Sequence, residues 1–475
     1  MRRFIALSVG LLLSVLGSAF TGLAMGVWVF QHTGSATLYG ITLLINLLPG
    51  VLFGPIAGAL VDRWNRRVIL MVSEAVSAAT VLGLALLFRA GTLQPWHIFI
   101  VVGIQSLVRS VQMPALSSVV VLLAPKEQVG RANGLVMLAQ ALGNTVGFAA
   151  GGVLLLAIRL DGVLLVDFTT FLLNIAILLF VQIPRPRRTE AGSAAAGGGL
   201  LAEIRTGWRV LGTRRALITL LLFSAALNLS LGYADALLTP LVLSFASAAA
   251  LGLVVAGMGI GAVLGSASLA MWGGPRRRIN GLAGFALPLG LLLCLGALRP
   301  SVPLIVVVAV GFTFCFTIVD GTNRNILQLE VEPDVQGRVF ATYNMVGGAV
   351  LALSYLLAGP MADHFFEPLL RVNGRLAGSV GSVIGTGPGR GMALLMLVVG
   401  LVMLLTAVAA YAQPSLRSLP DRPTGKRPEG AAAEVEPLPV PAQALAVPVP
   451  TDPDGPARDH RADPVRAARG SGDRG

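Results

Sequence analysis

Charge is what this sequence has least of. Asp, Glu, Lys and Arg together make up 12% of its 475 residues, about half the share of an ordinary soluble domain. A chain this long cannot clothe a water-facing surface with so few charges, which excludes a soluble globular protein. Histidine is scarce too. His32, His97 and His364 fall at the edges of apolar runs and His460 near the C-terminus. No His–acid constellation or metal-ligand cluster therefore falls within the runs, and an enzyme is not expected. Cys294 and Cys315 both sit inside apolar runs, as free core thiols do, and suggest neither a disulfide framework nor a metal site. No cofactor and no metal are expected. Acids are fewer than bases, giving a formal net charge of +12. The bases are scattered over short connections and a tail with no basic domain among them. That pattern argues against nucleic acid and for orientation signals facing an anionic lipid leaflet.

What the chain does have is long apolar runs, with 55% of its residues hydrophobic. A membrane-crossing helix needs about 20 predominantly apolar residues. That length places spans at 4–30, 37–61, 67–89, 97–123, 131–157 and 163–183, then at 216–244, 249–272, 279–298, 302–329, 339–361 and 391–412. Arg2 and Arg3 before the first run resemble a signal peptide, but the run outlasts the apolar core of one, so it reads as a retained span. The expected fold class is an all-α membrane protein with twelve transmembrane helices in two pseudo-symmetric six-helix bundles. The bundles are 1–183 and 216–412, joined by a cytoplasmic linker over 184–215 and followed by a disordered cytoplasmic tail over 413–475. Residues 203–210 of the linker have the composition of a short surface helix. With both termini cytoplasmic, basic residues on the inner connections outnumber those on the outer ones about threefold, as the positive-inside rule requires.

An internal repeat ties the bundles together. Pro125-Lys126-Glu127-Gln128-Val129-Gly130-Arg131 follows the fourth span and Pro333-Asp334-Val335-Gln336-Gly337-Arg338 follows the tenth. The same offset takes Gly58 to Gly265, but Leu269 stands where Asp62 would recur. Only the first half keeps the acid, in Gly58-x3-Asp62-Arg63-x2-Arg66-Arg67 between the second and third spans. A glycine there lets helices approach closely, and Asp62 can pair with an arginine or face a helix N-terminus.

This stretch resembles the loop motif of the major facilitator superfamily, and the resemblance covers roughly residues 1–412. It implies the two-bundle fold, alternating access, and a gate on the cytoplasmic side built from Gly58, Asp62, Arg63, Arg66 and Arg67. Arg109-x2-Gln112 in the fourth span is similar to a pattern of proton-driven transporters. Gly143-x3-Gly147-Phe148-x2-Gly151-Gly152 in the fifth resembles the antiporter motif of drug exporters, with Phe148 where proline is usual. That departure puts the usual kink in doubt. Asp167-Phe168-Thr169-Thr170-Phe171, Ala132-Asn133-Gly134, Gly337-Arg338-Val339, Gly359-Pro360-Met361-Ala362-Asp363 and Gly387-Pro388-Gly389-Arg390-Gly391 look like the macrolide-efflux and enterobactin-exporter branch. The resemblance implies a multi-pass protein of a bacterial inner membrane, monomeric, with a small-molecule substrate and protons as partners, and no nucleic acid.

Ionisable groups inside spans cost about 2.5–3.5 kcal/mol at a helix centre and mark function by default. Asp235, Asp320 and Arg109 are the candidates for proton coupling. Asp235 has no neighbouring base in sequence, whereas Arg324 can neutralise Asp320 one turn away. Glu74 reads as part of the cytoplasmic charge cluster and Asp167 as a brace for the sixth span. Phe20, Met25, Gln112, Met113, Asn228, Tyr233, Phe316 and Asn323 are candidate cavity residues, each also explicable as helix packing. The first span carries no acid, which favours neutral, zwitterionic or anionic amphiphiles. The expected function is proton-coupled export of amphipathic small molecules such as macrolides, siderophores or peptide natural products. The alternatives are an importer of a small solute and a membrane sensor or scaffold that kept the fold.

Overall fold

A computed structural model describes residues 2–123, 129–181, 208–212, 215–272, 275, 278–331 and 333–413. Most of the expected linker, the tail from 414, residues 125–128 of the repeat and the side chains of Gly58, Asp62 and Arg63 lie outside the described residues. The long apolar runs are helical because hydrocarbon offers no partner to a backbone N–H or C=O, so each segment must pair its own. They form α1 (Arg2–Thr33), α2 (Ala36–Arg63), α3 (Arg66–Arg89), α4 (Pro95–Leu123) and α5 (Val129–Phe180). After residues 208–212, a short helical stretch, come α6 (Arg215–Leu243), α7 (Ala248–Trp272), α8 (Arg278–Leu298), α9 (Val302–Glu330), α10 (Pro333–Pro360) and α11 (Arg390–Ala412). No strand occurs among the described residues.

All eleven helices are long and apolar enough to cross a membrane. At 52 residues, α5 holds both the fifth and the sixth expected spans. It turns back at Arg159, whose φ of 59° breaks the helix. Its packing on α1 shows the reversal. Gly143, Gly147 and Gly151 on the first leg meet Val15, Ala19 and Phe20 in ascending order. On the second leg, Asn174 meets Gly10, whereas Asp167 and Thr170 meet Gly17, in descending order. The two legs are therefore antiparallel, with α1 against both. Phe148 is helical, and the only non-helical backbone inside α5 is at Arg159, so the helix continues through the position where proline is usual.

Short caps fix the remaining turns. Asn65 caps α3 by accepting the Arg67 N–H at 3.0 Å, which meets one orphan donor of the helix start. Gly91 follows α3 at φ +69°, the left-handed conformation glycine adopts freely. α4 then opens on Pro95, where a missing N–H costs nothing.

Each half has its own apolar core. Val29, Val81, Leu84, Ile98 and Leu164 are fully enclosed in the first, and Phe223, Leu237, Leu289, Tyr343 and Met403 in the second. Outward-facing Phe180, Met271 and Leu405 stay exposed, as hydrocarbon-facing side chains should. The halves meet along two seams. On one, α2 runs against α10, with Thr37 on Gly359, Gly40 on the Tyr355 carbonyl and Val51 on Gly348. On the other, α5 runs against α7, with Gly152 on Ala248, Phe148 on Gly252 and Thr145 on Gly259. Both start at the end of the molecule bearing Gly34 and stop near mid-helix. Beyond them Leu52, Phe53, Met137 and Leu138 are exposed. A cleft between the halves thus opens toward the end bearing Asn65.

Candidate functional site

The closed end of the cleft is polar. Ser35, Ala36 and Thr37 open α2, and their donors have no partner inside that helix. The partner comes from the other half. Asp363, in the π-helical turn Met361–Phe366 that extends α10, accepts from Ser35 Oγ at 2.9 Å, Ala36 N at 3.2 Å, Thr37 N at 2.9 Å and Thr37 Oγ1 at 2.8 Å. A carboxylate at a helix N-terminus also meets the positive end of its dipole. Gly359 makes this approach possible, since a Cβ there would strike the Thr37 backbone.

Two turns deeper lies Asp235 of α6. It accepts the Tyr355 hydroxyl of α10 at 2.6 Å and has no hydrogen bond or ion pair to a basic side chain among the described residues. Tyr39 of α2 crosses from the first half, donates to Thr239 Oγ1 at 2.9 Å and lies within electrostatic reach of Asp235. The carbonyl of Tyr355 is the surface on which Gly40 rests. Asp235 is therefore bonded to the residue that forms the seam. Its expected lack of a base is matched by its surroundings.

Asp320 is placed differently. Arg324 Nε donates to its Oδ2 at 2.8 Å, one turn along α9. The same guanidinium donates to Asn344 Oδ1 at 3.0 Å and lies 5.4 Å from the Tyr343 ring. This is a neutralised pair braced against α10.

On α4, Ile98, Val102, Leu116 and Val119 share a stripe with Arg109 and are all buried, yet Arg109 between them is exposed. Gln105 and Gln112 beside it on the stripe are half-buried, and an exposed residue on a stripe turned inward faces a space inside the molecule and not lipid. Arg109 has no hydrogen bond or ion pair with the described residues, which leaves its five donors available to a ligand. Gln112, one turn on, is instead committed to Glu74 at 2.7 Å.

The other expected cavity residues divide. Phe20, Met25, Tyr233 and Asn323 are buried between helices. Asn323 accounts for itself by donating to the Tyr343 hydroxyl at 2.9 Å, and Tyr233 by donating to Met361 Sδ at 3.1 Å. Met113, Asn228 and Phe316 are half-buried, with Asn228 tied to the Ser224 carbonyl at 2.9 Å. Three of the four motif glycines, Gly143, Gly147 and Gly151, pack on α1 within their own half, and Gly152 alone meets α7 across the seam.

Of the loop arginines, Arg67 donates to the Leu178 and Leu179 carbonyls at 3.0 and 2.5 Å. It thereby caps the C-terminal end of α5, where a cation is favoured. Glu74 is not part of that cluster. Eight residues of helix carry it about 12 Å from Arg66, and it is buried among Ser14, Gln112 and Asn174. Asp167 is buried as expected of a brace, beside Gly17 and Thr170. Sequence reasoning passed over Tyr39, Tyr355 and Asp363 as site residues. Asp363 did stand in a quoted motif, but its partners are more than 300 residues away.

Known proteins share this plan. The family model of the Major Facilitator Superfamily matches residues 7–355. Macrolide efflux protein A of Streptococcus pyogenes is 23% identical over 372 residues, covering 76% of this chain and 90% of that protein. Multidrug efflux pump Tap of Mycolicibacterium fortuitum is 26% identical over 361 residues, covering 73% and 86%. The solved nucleoside transporter NupG superimposes with a TM-score of 0.66 at 13% identity, over 87% of this chain and 100% of that one. A bacterial homologue of the human lysosomal transporter Spinster, in an inward-facing and unoccupied conformation, gives 0.63 at 14% identity, over 88% and 97%. With two helical bundles about a cleft and a family match over most of its length, this chain belongs to the major facilitator superfamily and is a membrane transporter, not an enzyme.

Proposed function

We propose that the protein is a proton-coupled exporter of amphipathic small molecules, working as a monomer with both termini in the cytoplasm of a bacterial cell. The observation that carries the proposal is Asp235, a carboxyl with no basic partner at the junction of α2, α6 and α10. In the proposed orientation the Gly34 end faces outward, so the structure is closed outside and open to the cytoplasm. An ionised carboxylate without a cation is costly where the closed seam keeps it from bulk water. Charged Asp235 therefore favours the state in which the seam parts and outside water reaches it, and a proton taken up there permits closure. Each closure carries the proton toward the cytoplasmic cleft, where it is released, and the recharged Asp235 favours the return with a substrate bound in that cleft. This is antiport by rocking of two bundles about a midplane site.

Arg109 would hold an anionic group of the substrate, and the half-buried Met113, Asn228 and Phe316 would supply contact area. Gly58, Asp62, Arg63 and Arg66 would close the cytoplasmic side in the opposite state, with Arg67 keeping α3 against α5. The efflux names of the relatives support export, with macrolides among the substrates, and siderophores or peptide products rest on the sequence resemblance alone. Import of a small solute is the second reading, since rocking of two bundles about a midplane site can run in either direction.

Everted vesicles with an imposed inside-acid gradient test the proposal. A macrolide, siderophore or lipopeptide should dissipate the gradient with the unmodified protein and fail to do so with Asp235→Asn. Equal dissipation by both would remove Asp235 from coupling. A folded protein that responds to none of the panel would count against export of this class.

A further inference from the structure

A second carboxyl lies inside the first bundle, whereas Asp235 belongs to the second. Glu74 of α3 is 2% exposed and is met by one polar side chain from each of three other helical segments. Gln112 Nε2 of α4 donates to its Oε1 at 2.7 Å and Asn174 Nδ2 on the second leg of α5 donates to the same oxygen at 2.9 Å. Ser14 Oγ of α1 lies 3.2 Å from Oε2 and, more distantly, 3.4 Å from Oε1. The two carboxyl oxygens are thus unequal. Oε1 holds two amide donors, whereas Oε2 has one neighbour, a hydroxyl that can turn from donor to acceptor.

Among the described residues no cation is paired with this carboxyl. Arg67 on its own helix is committed to the Leu178 and Leu179 carbonyls, and Arg66 is about 12 Å away along the axis. On α4, Arg109 makes no ion pair and its side chain is exposed. On α5 the facing titratable group is Asp167, an acid two turns from Asn174. On α1, Ser14 is neutral and Arg2 and Arg3 lie at the far N-terminus, their side chains outside the described residues. The side chains of Asp62 and Arg63 at the end of α2 are likewise outside them.

Beside the carboxyl is a cavity of about 20 Å³, lined by Glu74, Gln112 and Asn174 together with Leu7, Leu11 and Leu70. That is room for one water, and three polar partners are what a buried water needs. Leu7 and Leu70 place the cavity on the Asn65 side of Glu74.

We propose that Glu74 is a proton-binding site of the first bundle, separate from Asp235 and exchanging with the Asn65 face. The proton is handed from a water in the cavity to Oε2, the Ser14 hydroxyl turns to accept it, and the amides stay on Oε1. Because Gln112 and Arg109 share one turn of α4, occupancy of this site reaches the helix that carries the cleft cation. The transporter then has one carboxyl at its seam and another on its cytoplasm-facing side.

The test needs no substrate, so its failure and that of the export reading are distinguishable. Infrared difference spectra between acid and alkaline pH are recorded on the full-length protein, with and without ¹³C-glutamate. A protonated-carboxyl band should vanish on alkalinisation, move to lower frequency with the label, persist in Asp235→Asn and be lost in Glu74→Gln. Ser14→Ala, which removes the nearest neighbour of Oε2 and leaves both amides on Oε1, should shift the frequency of that band and covers the case in which Glu74→Gln fails to fold. A band unmoved by the label, retained in Glu74→Gln or unmoved in Ser14→Ala would overturn the assignment.

Discussion

Gly17 shows how much one missing Cβ permits. A methyl there would strike Thr170 Oγ1 and Asp167 Oδ1, so the residue exists in order to let the second leg of α5 lay polar groups against α1. Gly22 on the same helix has open space where its Cβ would be. Overpacking of a fitted contact costs about 1–3 kcal/mol. Gly17→Ala should therefore lower the melting temperature in detergent and Gly22→Ala should not, and equal melting of the two would contradict this packing. At this scale the sequence is legible only where partners are close along the chain. The Asp320–Arg324 pair lies one helical turn apart and reads directly from spacing. Glu74 does not, because its partners stand 60, 38 and 100 residues away and nothing local announces them. The isolation of Asp235 was readable as an absence of nearby bases, but its hydroxyl partner Tyr355 was not.

At the scale of elements, hydropathy put helix at every expected span but counted twelve where eleven long helices stand among the described residues, the fifth and sixth being continuous in α5. What it could not place is the use each helix makes of its small residues. The glycine motif of α5 looked like a single device, yet Gly147 seats Ala19 of α1 inside one bundle while Gly152 seats Ala248 of α7 across the seam. The two should fail differently. Gly147→Leu should unfold the first bundle at a lower temperature. Gly152→Leu should leave the melt close to unchanged and abolish transport by wedging the seam. Identical melting and transport defects in both variants would show that the motif has only one task.

For the whole molecule, the half-repeat predicts two bundles but is silent about which end of the cleft is shut, because the same sequence must fold into both states. Closure is visible only in contacts such as the Asp363 cap on α2. An N-cap is worth about 1 kcal/mol and hydrogen bonds to a charged group about 1.5–3. Asp363→Ala should then shift the balance between the two facing states about tenfold or more toward opening of the Gly34 end. Spin labels at Thr92 and Ser301, one on each half at that end, should report a longer distance in the variant. An unchanged distance distribution would mean the cap is incidental to gating. Assembly of the chain carries a different consequence, from the reversal at Arg159. A connection that short has no slack to leave the bilayer and return, so the legs of α5 cannot be threaded singly during synthesis. They must enter the lipid as one helical hairpin, and α1 must wait for both before its glycine face has anything to hold.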